Sequence, residues 1–163
     1  MAKITFQKQS EYFSKLQQLD RVFAKESTLE KAVYAGAEPV ADAIRSRLQS
    51  LGEDEFRHLQ PGEVFFGLPE DQKNDLLNSF GLSSIKRDGK GYVGTKAGFD
   101  GYGSHPTKAY PKGVPNALIA RAVESGSSVR QKTPFVQPAV KATKQASISA
   151  MERVIDDEIK KIF

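Results

Sequence analysis

The chain has no cysteine among its 163 residues. That excludes a disulfide scaffold, a thiolate nucleophile and thiolate metal ligands. Histidine is nearly as scarce: His58 and His105 fall in different loop-like stretches, with no ligand partner at helical or hairpin spacing. No metal site is expected from such a pair. No apolar run approaches the roughly 20 residues of a membrane span. The opening Met1-Ala2-Lys3-Ile4-Thr5-Phe6 lacks the long apolar stretch of a signal peptide. These absences predict a soluble protein made in the cytosol. Hydrophobic residues are 39% of the chain, below the usual soluble share. A single domain spanning 1–163 is expected, burying about 70% of its unfolded surface. If compact, its radius of gyration is about 15 Å.

What is present is charge, unevenly placed. The net charge is +4, yet residues 51–80 carry seven acidic and two basic groups, and residues 81–114 carry six basic and two acidic. An acidic block beside a basic one reads first as two solvated stretches. It also suits head-to-tail docking between copies, because opposite patches on one molecule favour a heterologous contact.

Periodicity divides the chain into elements. Ile4 and Phe6 alternate with polar residues, which predicts a short edge strand over 3–7. Tyr12, Phe13, Leu16, Leu19, Val22 and Phe23 fall at helical spacing over 10–24. Ser27-Thr28-Leu29-Glu30 has the form of a capping box opening a long helix over 28–51. Pro39 is expected to kink that helix, since it lacks an N–H and crowds the carbonyl of Ala35. Residues 52–69 read as irregular, with Phe65 and Phe66 pinning the segment to the core. Pro69 suits a helix N-terminus, Glu70 and Asp71 suit its dipole, and Gly81 is expected to end that helix.

Residues 82–99 read as a hairpin around Asp88-Gly89. Residues 100–114 mix glycine, proline, tyrosine and lysine without a period. A stretch of that length and composition predicts a mobile arm that orders on a partner. Residues 117–124 predict a short helix closed near Gly126, with a buried strand over 117–123 as the competing reading. From Pro138 the pattern Val140, Thr143, Ser147, Met151, Val154, Ile155, Ile159, Ile162 predicts a helix over 138–162, about 37 Å long. The expected fold is therefore α+β: a small antiparallel sheet with a β-hairpin packed against two long helices, joined by long mobile loops.

Two motifs invite catalytic readings and support neither. Gly89-Lys90-Gly91-Tyr92-Val93-Gly94 matches G-x-G-x-x-G, but its flanks read as two strands and the acidic residue a dinucleotide site needs is missing. His105 with a nearby serine lacks a G-x-S-x-G elbow. Asp156, Asp157 and Glu158 mark the wet face of the last helix. No catalytic residue and no cofactor are expected. Lys86, Arg87, Lys90, Lys96, Lys108 and Lys112 interleaved with Tyr92, Phe99, Tyr102 and Tyr110 suit phosphates and stacked bases, but no recognised nucleic-acid motif accompanies them. Nonspecific proximity to DNA fits better than specific binding.

Three segments, in order, resemble one family. The first is Ala35-Gly36-Ala37-Glu38-Pro39-Val40-Ala41-Asp42 and the second Asp75-Leu76-Leu77-Asn78-Ser79-Phe80. The third runs from Ala122-Val123-Glu124-Ser125-Gly126 to Thr133-Pro134-Phe135-Val136-Gln137-Pro138-Ala139. Together they are similar to the minor tail-component, or tail-completion, proteins of long-tailed bacteriophages and prophages, over about residues 28–163. Lys73-Asn74 stands where that family usually has Thr-Gly, and Ser125 where an aromatic is common. The resemblance marks Gly36, Ala37, Leu76, Ser79, Glu124, Gly126, Pro134, Phe135 and Pro138 as scaffold residues.

The resemblance implies a virion structural protein at the head–tail junction, assembled in the host cytoplasm. It would form a ring, six copies being the expected number, between a head-side connector protein and the tail tube or tail terminator protein. No enzyme and no membrane partner are implied. Within the same system the alternative is a tail terminator; from a different class, a DNA-binding or packaging accessory protein. Segments 52–68 and 100–114 are expected to carry partner binding, with Tyr102, His105, Lys108, Tyr110 and Lys112 as the contact residues. Glu124 is expected to accept loop amides.

Overall fold

The computed structural model describes residues 9–24, 26–55 and 57–162. The strand expected over 3–7 lies outside the described residues. The order is α1 (Gln9–Ala24), α2 (Glu26–Gln49), α3 (Glu70–Ser79), β1 (Phe80–Leu82), β2 (Lys86–Arg87), β3 (Val93–Gly94), β4 (Ala97–Phe99), α4 (Asn116–Ser125) and α5 (Val136–Lys160). The fold is α+β.

α2 and α5 make the most extensive contact between elements. Their crossing is built on small residues. A Cβ added at Gly36 would lie 2.3 Å from Met151 Cε, and the Ser147 hydroxyl donates to the Gly36 carbonyl. A glycine there lets the helices approach closely, and the serine satisfies its own buried hydroxyl. Ala37 adjoins this contact. α2 starts before Ser27, so the Ser27–Glu30 box lies inside the helix rather than at its start. α2 also runs unbroken through Pro39. Val140, the first position of the helical pattern after Pro138, is exposed; Ser147 of that pattern is buried, and so is Ala139 outside it.

The main core sits at one end of this pair. Ala41, Ile44 and Leu48 of α2 meet Leu68, Leu76 of α3, Phe80 of β1, Ile119, Ala120 and Val123 of α4, and Phe135 with Ala139. Phe80 and Phe99 stand opposite each other in the β1–β4 ladder with ring centroids 5.1 Å apart, and Phe99 meets Phe135 edge-on at 6.0 Å. Such tilted and edge contacts suit the ring quadrupoles.

β1 to β4 form one hairpin carrying two short antiparallel ladders. Phe80↔Phe99, Gly81↔Gly98 and Leu82↔Ala97 pair near the core, and Lys86↔Gly94 with Arg87↔Val93 pair toward the tip. α3 passes directly into β1: Phe80 is already extended, its N–H donating to the Leu76 carbonyl. Gly81 therefore does not end α3. The apolar demand of Phe80 turns the chain into the strand one residue earlier.

The described residues of 50–69 contain no helix, and they divide two neighbouring aromatics. Phe65 is buried, its N–H donating to the Val129 carbonyl at 2.9 Å and its carbonyl accepting from Gln131 N–H at 2.8 Å. Phe66 points outward and is 67% exposed. The expectation that both rings pin this segment is corrected: an extended backbone sends successive side chains to opposite sides.

Candidate functional site

The 100–114 segment, expected to be a mobile arm, is a loop tied at several points within the chain. Gly103 N–H donates to the Val114 carbonyl at 2.8 Å, and Thr107 and Tyr110 exchange backbone hydrogen bonds at 3.0 Å. Asn116 Nδ2 donates to the Asp100 carbonyl at 2.9 Å. The two strands of the loop cross at Gly103 and Gly113. A Cβ on Gly113, whose φ is +98°, would lie 1.9 Å from the Gly103 carbonyl oxygen.

α3 holds the loop from outside. Asp75 accepts from Ser104 N–H and from the Ser104 hydroxyl, both at 2.6 Å. His105 Nε2 lies 3.1 Å from Asp71 Oδ2. The sequence reading assigned Asp71 to the helix dipole and gave Asp75 no role. Their partners are 34 and 29 residues away, and no local pattern marks a contact across that separation.

The five proposed contact residues share this loop but differ in freedom. His105 is held against Asp71. Tyr102 bridges to Pro115 and is 60% exposed; Tyr110 is 38% exposed, its N–H held by Thr107. Lys108 and Lys112 are exposed on the outer turns. The loop thus presents two cations and two tyrosines on a fixed frame.

Glu124 and Gly126 build a second constellation. Glu124 Oε2 accepts from Phe135 N–H at 2.7 Å and Val136 N–H at 2.8 Å, and Oε1 accepts from Gln137 N–H at 2.9 Å. The next residue, Pro138, has no N–H. The four donors that a helix start leaves unpaired are thereby all answered. Burial raises the Glu124 pKa, but the three amides from Gln137, Val136 and Phe135, with Lys132, outweigh it and hold the carboxyl below its ordinary value. Gly126, at φ +78°, turns the chain from α4 toward this knot, and Phe135 is only 1% exposed. Pro134 leads into it. Leu76 is fully buried, and the Ser79 hydroxyl donates to the Leu76 carbonyl at 3.3 Å.

A third cluster staples 52–68 to the turn after α4. Buried Arg130 donates to the Gly67 carbonyl and, through Nη2, to Gln72 Oε1 at 2.9 Å. Its guanidinium lies 5.8 Å from the Phe65 ring centre, and that of Arg57 lies 5.3 Å away. Burial lowers the Arg130 pKa while Asp54 opposes the shift. Arginine stays charged in such a setting, so the cluster is a cationic clamp and transfers no proton.

The glycine motif at 89–94 sits at the hairpin tip. The Asp88 carboxylate accepts from Lys90 N–H and Tyr92 N–H, both at 2.9 Å. The amides a phosphate would need are already taken by the chain's own acid. Among the described residues no group of three or more metal-ligating side chains converges. No described helix is long and apolar enough to cross a membrane.

No known family, curated protein or solved structure matches the chain.

Proposed function

We propose that this chain is a bacteriophage virion structural protein at the head–tail junction. It completes the tail by assembling into a ring between the head-side connector protein and the tail tube or terminator. The role is one of interface formation, without turnover. The observation that carries the assembly part is surface area. The chain exposes 11567 Å², whereas a compact monomer of this mass exposes about 8,000 Å². Eleven residues lie outside the description; fully extended they would account for about 1,800 Å² at most. The remaining excess is about twice the roughly 800 Å² that one partner contributes to a standard interface, which is what a ring member with two contact faces needs. Exposed Tyr34, Leu118, Val140 and Ile148 on the helices add apolar contact area. The junction itself rests on the resemblance of the three segments.

The test is to stop translation of this gene in its parent phage or prophage and examine the lysate by negative-stain electron microscopy. DNA-filled heads beside unattached tails are expected. Overlong tails would move the assignment to a terminator. Normal, infectious virions would overturn the reading. A steeply salt-dependent affinity for DNA would then favour the accessory role.

A further inference from the structure

Gly81 and Gly98 face each other across the β1–β4 ladder, and no described residue requires either to be glycine. Neither has a positive φ. A Cβ added to either would meet no atom within 4 Å. Glycine in a strand interior costs stability and usually marks a bulge or the close approach of another group. Here the ladder pairs without a bulge, and no group among the described residues approaches. The pair floors an open depression of about 530 Å³, rimmed by Asn78, Ser79, Ser83, Lys96 and Asp100. The opposite face of the ladder carries Phe80 and Phe99 into the core.

A matching projection lies at the other end of α3. Among the phenylalanines whose side chains are described, Phe66 alone is strongly exposed. Its N–H is fixed by Asp54 Oδ2 at 3.0 Å, and a Cβ on the following Gly67 would lie 2.2 Å from the Gly52 carbonyl oxygen. The projection is therefore rigid. The ten residues of α3, about 15 Å of helix, stand between projection and floor along the chain. Their surroundings carry opposite charge. Residues 51–68 hold four acidic groups and one basic, while residues 81–99 hold four basic and one acidic.

We propose that Phe66 of one copy packs on the Gly81–Gly98 floor of the next copy, with the acidic 51–68 segment against the basic hairpin. An aromatic ring covering strand glycines restores the contact area those glycines lack. A projection and a floor on different ends of one element make a heterologous, head-to-tail contact, which closes into a ring when the rotation permits. This deepens the assembly reading and rests on it.

Sedimentation equilibrium of the purified full chain at low salt tests the contact. The wild type is expected to self-associate, and more weakly as salt rises. Phe66→Ala and Gly81→Val/Gly98→Val should each weaken association by about tenfold or more. The glycine variants should keep or raise the thermal midpoint, because their φ is ordinary and the space is open. The cysteine-free background allows a direct check. Phe66→Cys mixed with Gly98→Cys should give a disulfide-linked dimer under mild oxidation, and Phe66→Cys mixed with Ile148→Cys should not. A wild type monomeric at every concentration would overturn the proposal. So would association that survives both sets of variants, loss of stability in the glycine variants, or association that appears only with an added oligonucleotide. The phage phenotype is read separately: a joining defect with no such contact would reject this interface alone, and such a contact in a phage that needs no such gene product would reject the junction alone.

Discussion

Glu124 uses both carboxylate oxygens on the backbone at the start of α5, so its charge state is a stability variable. Glu124→Gln keeps the shape but replaces one acceptor oxygen by an NH₂ that faces N–H groups. Hydrogen bonds to a charged group contribute more than neutral ones, and an expected loss of about 2 kcal/mol follows. The pH dependence has a definite sign. The folded-state pKa lies below the ordinary carboxyl value, so the unfolded chain binds this proton more readily. The contribution is complete above an unfolded pKa of about 4.3 and is lost as pH falls through the folded value. Urea midpoints of wild type and Glu124→Gln should therefore differ at neutral pH and converge in acid. Gly113 makes a contrasting case to Gly81. At Gly113 a Cβ meets a carbonyl oxygen at 1.9 Å with φ +98°, and Gly113→Ala should cost about 3 kcal/mol or more by chemical denaturation.

At the scale of elements, the 100–114 loop owes its order to α3. Asp75→Asn leaves one acceptor where Ser104 presents two donors. Loss of a net 1–2 kcal/mol of local restraint raises the opened population by roughly tenfold. Trypsin cleavage after Lys108 and Lys112 should accelerate by that factor in Asp75→Asn, with the global midpoint nearly unchanged. The same two lysines stand free of the loop's internal bonds, so Lys108→Glu/Lys112→Glu should weaken assembly; full infectivity of the double reversal would count against the loop as a contact surface. How far such features were legible depends on their range. Helices α3, α4 and α5 were legible because Pro69, Gly126 and the apolar spacing after Pro138 are local signals. The hairpin was legible from Asp88-Gly89. The ties of the loop were not legible, because they come from a helix some 30 residues earlier. Phe65 and Phe66 are identical in type, and only the partner backbone at Val129 decides which turns inward. The Glu124 knot was partly legible: an acid before Gly126 suggested an acceptor, but its three particular donors required the path of the chain through Pro134.

At the scale of the whole molecule, the surface excess makes a quantitative prediction about the isolated chain. An unfolded chain of this mass exposes about 26,000 Å², and a compact native state would bury about 18,000 Å² of it. Of the 11567 Å² exposed in the folded chain, about 1,800 Å² is set aside for the eleven residues outside the description, and the buried area falls to about 16,000 Å². The denaturant slope scales with the surface exposed on unfolding, so the dilute chain should unfold with a slope about a tenth below that of a compact domain of equal length. Its radius of gyration should exceed the roughly 15 Å of a compact chain; small-angle scattering reads this directly. Both quantities then depend on assembly, because docking removes the excess surface from water and binding to the native state alone adds stability by mass action. The unfolding midpoint should rise with protein concentration in the wild type and stay flat in Phe66→Ala. A compact slope and radius in the dilute chain would mean that the long α2–α5 pair already finds its burial within one molecule, and the case for assembly from surface area would fall.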